Sequence, residues 1–255
     1  MMRIRVERTG AVGRITLTRP EKKNALDYTA ARELREALRE FAADADVRVV
    51  LLAAEGADFC AGADLAALHA LLDAGASEQL KDAEALGDVF RVMREMPQVV
   101  IAAVRGRALA GGAGLATACD IVIAEEGARF GYPEVRVGFV PAMVMALLRR
   151  QIGEKRAFEL VATGRQVPAS EALELGLVSR VTSAADFSAA VEHLVGELSA
   201  MPPHALRSTK QLFYSLDATN FEDGIAHAVR VNVEARSTAE FREGVRRFAP
   251  GRDRS

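Results

Sequence analysis

Up to about residue 181, apolar residues follow two alternating spacings. β-branched or alternating runs predict strands over residues 4–7, 12–18, 47–53, 98–104, 121–124 and 177–181. Between them, apolar residues three or four positions apart predict helices over residues 28–43, 80–96, 109–118, 141–151 and 154–163, the first capped by Asp27. Strands that alternate with helices in this way are typical of an α/β core.

The pattern changes after Asp186. Residues 186–200, 202–216, 221–234 and 238–248 all have helical spacing, and no strand pattern separates them. An α/β fold class with a helical appendage follows from this change. We therefore predict a core over residues 1–200 and a helical region over residues 201–255.

Composition and charge exclude several classes of protein. Half of the 255 residues are apolar, which is enough for a sizeable core, and the net charge of -2 gives no support to nucleic-acid binding. Two cysteines are too few for a disulfide framework or a metal cluster. The start has no apolar signal segment, and no run reaches membrane-spanning length. We expect a cytoplasmic protein with no metal site and no membrane or nucleic-acid partner.

Two turns built from small residues, 58–65 and 108–115, are the most informative segments. Each follows an apolar strand and opens into a helix, whose first N–H groups have no intrahelical partner. Two converging N–H groups would form an oxyanion hole. Packing alone explains many such turns, but three glycines in the second turn each cost a helix about 1 kcal/mol. A phosphate cradle does not fit, because the Walker lysine and the Rossmann spacing are missing.

Glu134 is the candidate proton-transfer group. Pro133 holds the chain extended before it, and an apolar run (Val135, Val137, Phe139 and Val140) follows. A lone glutamate buried in such surroundings has a raised pKa that suits proton transfer, whereas an exposed glutamate would be ordinary surface. Cys60 in the first turn lacks a histidine in a catalytic context, so we interpret it as a small buried residue.

Six blocks of sequence, which include these segments, follow one another along the chain. They lie at residues 17–26, 59–65, 111–120, 130–141, 163–165 and 172–178. Together they resemble the crotonase, or enoyl-CoA hydratase/isomerase, superfamily over nearly the whole chain. The resemblance implies a crotonase-like spiral core of repeated ββα turns with a C-terminal all-helical trimerisation region. It also implies a homotrimer or a dimer of trimers.

The resemblance further implies an enzyme of acyl-CoA, and hence fatty acid, metabolism. The substrate would be an acyl-CoA thioester, so no separate cofactor is expected. Its enolate would lie in an oxyanion hole formed by Ala61 and Gly111, with Glu134 as the acid/base. Residues 67–79 would shape the acyl pocket, and a C-terminal arginine, Arg246, Arg247 or Arg252, would reach the CoA phosphates. The implied substrate-binding residues are Lys22, Ala25, Ala61, Gly62, Ala63, Asp64, Leu65, Gly111 and Gly112.

One position departs from the hydratases that this chain resembles. They carry two glutamates that activate water, and Gly114 stands in place of one of them. A single carboxylate suffices for a proton shuttle, so we predict double-bond isomerisation. Alternatives are hydration of a 2-enoyl or methylglutaconyl-type substrate by Glu134 alone, another enolate reaction such as decarboxylation or thioester hydrolysis, and acyl-CoA binding without turnover.

Overall fold

The computed structural model describes residues 2–248. The chain divides after Ser199 into two compact units. The first unit has a six-stranded sheet in the order β1-β2-β3-β4-β6-β9. It is parallel except for β1, which pairs antiparallel with β2. Its strands are β1 (Ile4–Thr9), β2 (Val12–Leu17), β3 (Val49–Ala54), β4 (Val99–Val104), β6 (Ile121–Glu125) and β9 (Arg180–Thr182).

The strands between β2 and β6 are buried because their residues are almost all apolar. Every residue of β4 is buried, as expected for a parallel strand covered on both faces. The helices of this unit are α1 (Tyr28–Ala43), α2 (Leu65–Ala70), α3 (Ala76–Glu95), α4 (Gly111–Ala118), α5 (Ala142–Gln151), α6 (Glu154–Thr163), α7 (Ala169–Leu175) and α8 (Phe187–Ser199). The predicted cap of α1 is confirmed, since the Asp27 carboxylate accepts a hydrogen bond from the Ala30 N–H at 2.8 Å.

A second sheet consists of three short strands, β5 (Arg107–Leu109), β7 (Arg129–Gly131) and β8 (Gln166–Pro168), in the order β5-β7-β8. The sequence did not predict these strands. The helix predicted from residue 109 begins at Gly111 instead, because Leu109 pairs with Gly131 in this sheet. The strand predicted over residues 177–181 is β9, which begins at Arg180.

The second unit is helical, as predicted, with α9 (Pro203–Ser215), α10 (Phe221–Ser237) and α11 (Ala239–Phe248). Asn220 caps α10 by accepting a hydrogen bond from the Asp223 N–H at 2.9 Å. Arg246 and Arg247 lie in the last turn of α11, whereas Arg252 lies outside the described residues. Of the helices in residues 2–248, none combines the length and the apolar character that crossing a membrane requires.

Candidate active site

The two small-residue turns lie side by side. Cys60 and Ala108 form a parallel bridge, in which the Cys60 N–H donates to the Arg107 carbonyl at 3.0 Å and the Leu109 N–H donates to the Cys60 carbonyl at 2.9 Å. Sequence reasoning predicted both turns, and the structure shows the backbone pairing that joins them. The pairing therefore holds the two turns against each other.

Glycine is required where the two turns touch. Gly62 has a φ of +94°, and a Cβ there would lie 2.7 Å from the Cβ of Ala110. At Gly112, a Cβ would lie 2.2 Å from the carbonyl oxygen of Cys60. In the structure, these two glycines therefore allow the backbone conformation and the close packing of the turns.

A third segment, Lys22 to Leu26, runs beside the first turn. The Leu26 N–H donates to the Gly62 carbonyl, and the Asp64 N–H donates to the Leu26 carbonyl, both at 2.7 Å. Ala63 is exposed and forms a bridge with Leu26. The structure thus brings the predicted CoA-contacting residues of both segments together. Lys22 and Leu65 are exposed at the margins of this surface, and Ala25 is buried beneath it.

Buried polar side chains hold the third segment in place. The Asn24 side chain is 2% exposed. Its Oδ1 accepts from the Arg19 N–H at 2.9 Å, and its Nδ2 donates to the carbonyls of Glu55 and Asp58 at 2.8 Å. Asp58 also binds the Arg107 guanidinium through two contacts of 2.7 Å, which hold the pKa of Asp58 below its ordinary value.

Arg19 joins the caps of two helices. It contacts Asp27 and Asp64, both at 2.9 Å, and Asp64 caps α2 by accepting from the Ala66 N–H at 3.0 Å. Burial by itself would raise the pKa of Asp64, but the hydrogen bonds that Arg19 and the backbone donate outweigh it and lower the pKa. The Asp64 carboxylate is thus engaged within the protein, and its backbone N–H and carbonyl are bonded to Leu26 and Leu68.

The two predicted oxyanion donors differ in this structure. Gly111 is the first residue of α4, and among the described residues none accepts a hydrogen bond from its N–H. The Ala61 N–H donates to the Lys23 carbonyl at 3.0 Å. An oxygen bound between the two predicted donors would find a free N–H at Gly111 and would have to share or replace the Lys23 carbonyl at Ala61.

Glu134 lies in a 3₁₀ helix, Pro133–Val137, which directly follows the second sheet. The Ala110 N–H donates to the Gly131 carbonyl at 2.8 Å, so the segment carrying Glu134 leaves the sheet beside the second turn. The side chain is half-buried, and its Oε2 atom is buried with no hydrogen-bond partner among the described residues. Burial raises the pKa of Glu134 above its ordinary value.

The apolar run after Glu134 does not belong to the buried core. Val135, Val137, Phe139 and Val140 are all exposed in the single chain. The raised pKa expected for a buried Glu134 is present, whereas the apolar run itself stays outside the buried core. The buried residue nearest in sequence is Tyr132, which is 1% exposed.

A buried hydroxyl pair connects the Glu134 segment to α4. Thr117 Oγ1 donates to the Ala113 carbonyl at 2.7 Å and lies 2.8 Å from the Tyr132 hydroxyl. Because the threonine proton is committed to Ala113, the Tyr132 hydroxyl is the donor to Thr117. This bond ties the chain two residues before Glu134 to the helix that begins with Gly111. Sequence spacing gave no signal for it.

The space in front of Gly114 is occupied by apolar atoms. A Cβ at Gly114 would lie 2.8 Å from Phe90 Cζ of α3 and 2.8 Å from Val144 Cγ2 of α5. One turn earlier on α4, a Cβ at Gly111 would lie 3.3 Å from Leu86 and 3.8 Å from Leu26. Helical periodicity predicts buried residues on α3 and α5, but not that Phe90 and Val144 meet at Gly114.

Cys60 is the buried residue that the sequence predicted. It is 0% exposed, and burial raises the pKa of its thiol to about 12, so it is not ionised near neutral pH. Within residues 2–248, no cluster of three or more His, Cys, Asp or Glu side chains has an arrangement that could hold a metal ion.

Comparisons with known proteins show the family to which the chain belongs. The enoyl-CoA hydratase/isomerase family matches residues 7–254. A Thermus thermophilus protein provisionally named an enoyl-CoA hydratase is 41% identical, covering 96% of each chain. A Bacillus subtilis protein provisionally named an enoyl-CoA hydratase/isomerase is 36% identical, over 92% of this chain and 90% of the relative.

A solved structure of an enoyl-CoA hydratase from Mycobacterium smegmatis superposes with a TM-score of 0.92 at 34% identity. The match covers 96% of this chain and 95% of that one. The fold is therefore the crotonase fold predicted from the sequence. The chain belongs to the enoyl-CoA hydratase/isomerase family. As the resemblance implied, members of this family are enzymes that act on acyl-CoA thioesters.

Proposed function

We propose that this enzyme moves a double bond within an enoyl-CoA thioester, with Glu134 as the single acid/base. The observation that carries the proposal is the carboxylate itself. It is half-buried, three residues after the strand that pairs with the second turn, and has an unpaired Oε2 and a raised pKa. An acid whose pKa approaches the working pH can both accept and return a proton.

The reaction needs no net addition of atoms. The Glu134 carboxylate removes the C2 proton of a 3-enoyl-CoA, and the electron pair of that C–H bond moves into a dienolate that ends on the thioester oxygen. The Gly111 N–H stabilises this negative charge, and the Ala61 N–H joins it by giving up its bond to the Lys23 carbonyl. The protonated Glu134 then returns the proton at C4, which gives the 2-enoyl-CoA. Gly114 supplies no second acid to activate water.

Incubation of 3-enoyl-CoA and 2-enoyl-CoA substrates with the protein in deuterated water, followed by mass spectrometry, tests the proposal. We expect deuterium exchange into the acyl chain and interconversion of the two isomers. A product heavier by one heavy water as the main product would instead assign hydration. Acyl-CoA binding without either change would assign a non-catalytic protein.

The Glu134→Gln variant tests the role of the carboxylate. Loss of general acid–base catalysis should lower the exchange rate about 10²- to 10⁴-fold while acyl-CoA binding is retained. Glu126→Gln is the matched control, because Glu126 is exposed and lies outside the proposed site. Full exchange activity in Glu134→Gln would remove Glu134 from the mechanism.

A further inference from the structure

Phe90 and Val144 close the position from which a second acid would act. They come from different helices, α3 and α5, and are 5% and 4% exposed. Both approach the same point in front of Gly114, at 2.8 Å from where a Cβ would be. The missing acid has therefore not left an opening, because the phenyl ring and the valine methyl fill its space.

The contact between the two helices continues beyond this point. A Cβ at Gly87, one turn before Phe90 on α3, would lie 3.4 Å from the sulfur of Met143 on α5. Leu86, on the same face of α3 as Phe90, borders Gly111. An apolar wall thus extends from the oxyanion donor to Gly114.

Such a wall is a poor place for water. A buried water molecule needs room and two to four polar partners, and a cavity lined by apolar atoms stays dry. Phe90 Cζ and Val144 Cγ2 offer neither room nor hydrogen-bonding groups. A water molecule placed to attack the enoyl group from the side of Gly114 would have no site.

We propose that Phe90 and Val144 determine the outcome of the reaction by excluding attacking water from the Gly114 side of the acyl group. The intermediate is then discharged by proton return from Glu134 rather than by addition of water. This inference rests on the proposed function. It states that two side chains decide whether an enoyl-CoA substrate is isomerised or hydrated.

The test measures the ratio of the two fates in one incubation. A 2-enoyl-CoA is incubated in ¹⁸O-labelled deuterated water. Hydrated product carries the heavy oxygen, whereas exchanged substrate carries deuterium alone. General damage to the protein slows both reactions, so their ratio reports the fate of the intermediate.

Two widened variants are compared with the wild type, namely Phe90→Leu/Val144→Ala and the same pair with Gly114→Glu. We expect the hydrated fraction to rise at least 10-fold in the first variant and further in the second. The matched control is Phe41→Leu/Val191→Ala, because Phe41 and Val191 are 6% and 4% exposed and do not border Gly114. Circular dichroism and thermal melts establish that each variant is folded.

The outcomes separate this inference from the proposed function. If the wild type only exchanges and the folded widened variants keep the same ratio, the role of Phe90 and Val144 is wrong and the isomerase assignment stands. A wild type that mainly hydrates overturns both. If the wild type does neither reaction, hydration gained by Phe90→Leu/Val144→Ala supports the role of the two side chains against the isomerase assignment. Hydration absent there as well overturns both.

Discussion

Glu134 combines partial burial with an unpaired carboxylate oxygen, and this has consequences for pH. The carboxylate must be ionised to accept a proton, and burial raises its pKa. We expect the acid limb of kcat/KM for exchange to lie above about pH 4.3, the ordinary value for glutamate. A pH profile of deuterium exchange measures it. An acid limb at or below the ordinary value would show that Glu134 is well solvated in the working enzyme.

The same shift predicts an effect of Glu134 on stability. Its pKa is higher in the folded chain than in the unfolded chain, so its stabilising contribution is full below the unfolded pKa and is lost as pH rises through the folded pKa. Glu134→Gln should therefore melt at a higher temperature than the wild type at pH 8, and the difference should shrink towards pH 4. A difference independent of pH would mean that the effect comes from packing rather than from charge.

Ala110 is held in a strained conformation by the turn that presents Gly111. Its φ and ψ are 50° and -126°, a combination that costs a non-glycine residue about 1–3 kcal/mol. Ala110→Gly should remove this cost, less about 0.4–1 kcal/mol for the greater freedom of glycine in the unfolded chain. We expect a net gain of about 1 kcal/mol in the free energy of unfolding, measured by denaturant titration. The control Ala113→Gly lies within α4 and should lose stability.

At the scale of elements, the bond between Tyr132 and Thr117 fixes the Glu134 segment against α4. Thr117→Val would leave the buried Tyr132 hydroxyl without its acceptor and should lower the free energy of unfolding by about 1–3 kcal/mol. If the bond positions Glu134, kcat should fall while KM for the acyl-CoA is retained, because the predicted CoA-contacting segments lie elsewhere. Thr117→Ser, which keeps the hydroxyl, should restore kcat. An unchanged kcat in folded Thr117→Val would show that the bond has only a structural role.

The sequence predicted those helices and strands whose apolar periodicity extends over many residues. The helix after Asp27 was found with its cap, because sixteen residues keep one apolar face and Asp27 has a side chain suited to capping. The three-residue strands β5, β7 and β8 were missed, because so short a segment shows no periodicity. Those strands pair Gly131, three residues before Glu134, with Leu109 of the second turn. Sequence therefore predicted the candidate groups of the site, while their arrangement required the structure.

The same reasoning applies to the position of the second acid. The sequence shows that Gly114 cannot transfer a proton, and this follows from residue identity alone. That Phe90 and Val144 fill the space depends on how α3 and α5 pack around α4, which spacing within one helix does not determine.

For the whole molecule, the site is assembled from segments far apart in sequence. Parallel pairing aligns β2, β3 and β4, so the connections that leave them lie along one edge. Residues 22–26, 60–64 and 108–111 meet there through backbone hydrogen bonds. A site built largely from backbone tolerates changes of side chain, provided that the glycines at the points of contact are kept.

Exposed apolar side chains of the helical unit predict that the protein self-associates. The family resemblance implies the same. Phe221, Ile225, Val229 and Val233 form a stripe along α10 at four-residue spacing and are 49–77% exposed in the single chain. An apolar stripe of this kind is typical of an interface between subunits. Light scattering coupled to size-exclusion chromatography should give a multiple of the 27.4 kDa chain for the wild type and a smaller assembly for Val233→Asp. Asn232→Asp adds the same charge at an exposed position beside the stripe and should leave the assembly intact. A wild type that elutes as a single chain, or equal masses for the two variants, would refute the predicted role of the stripe.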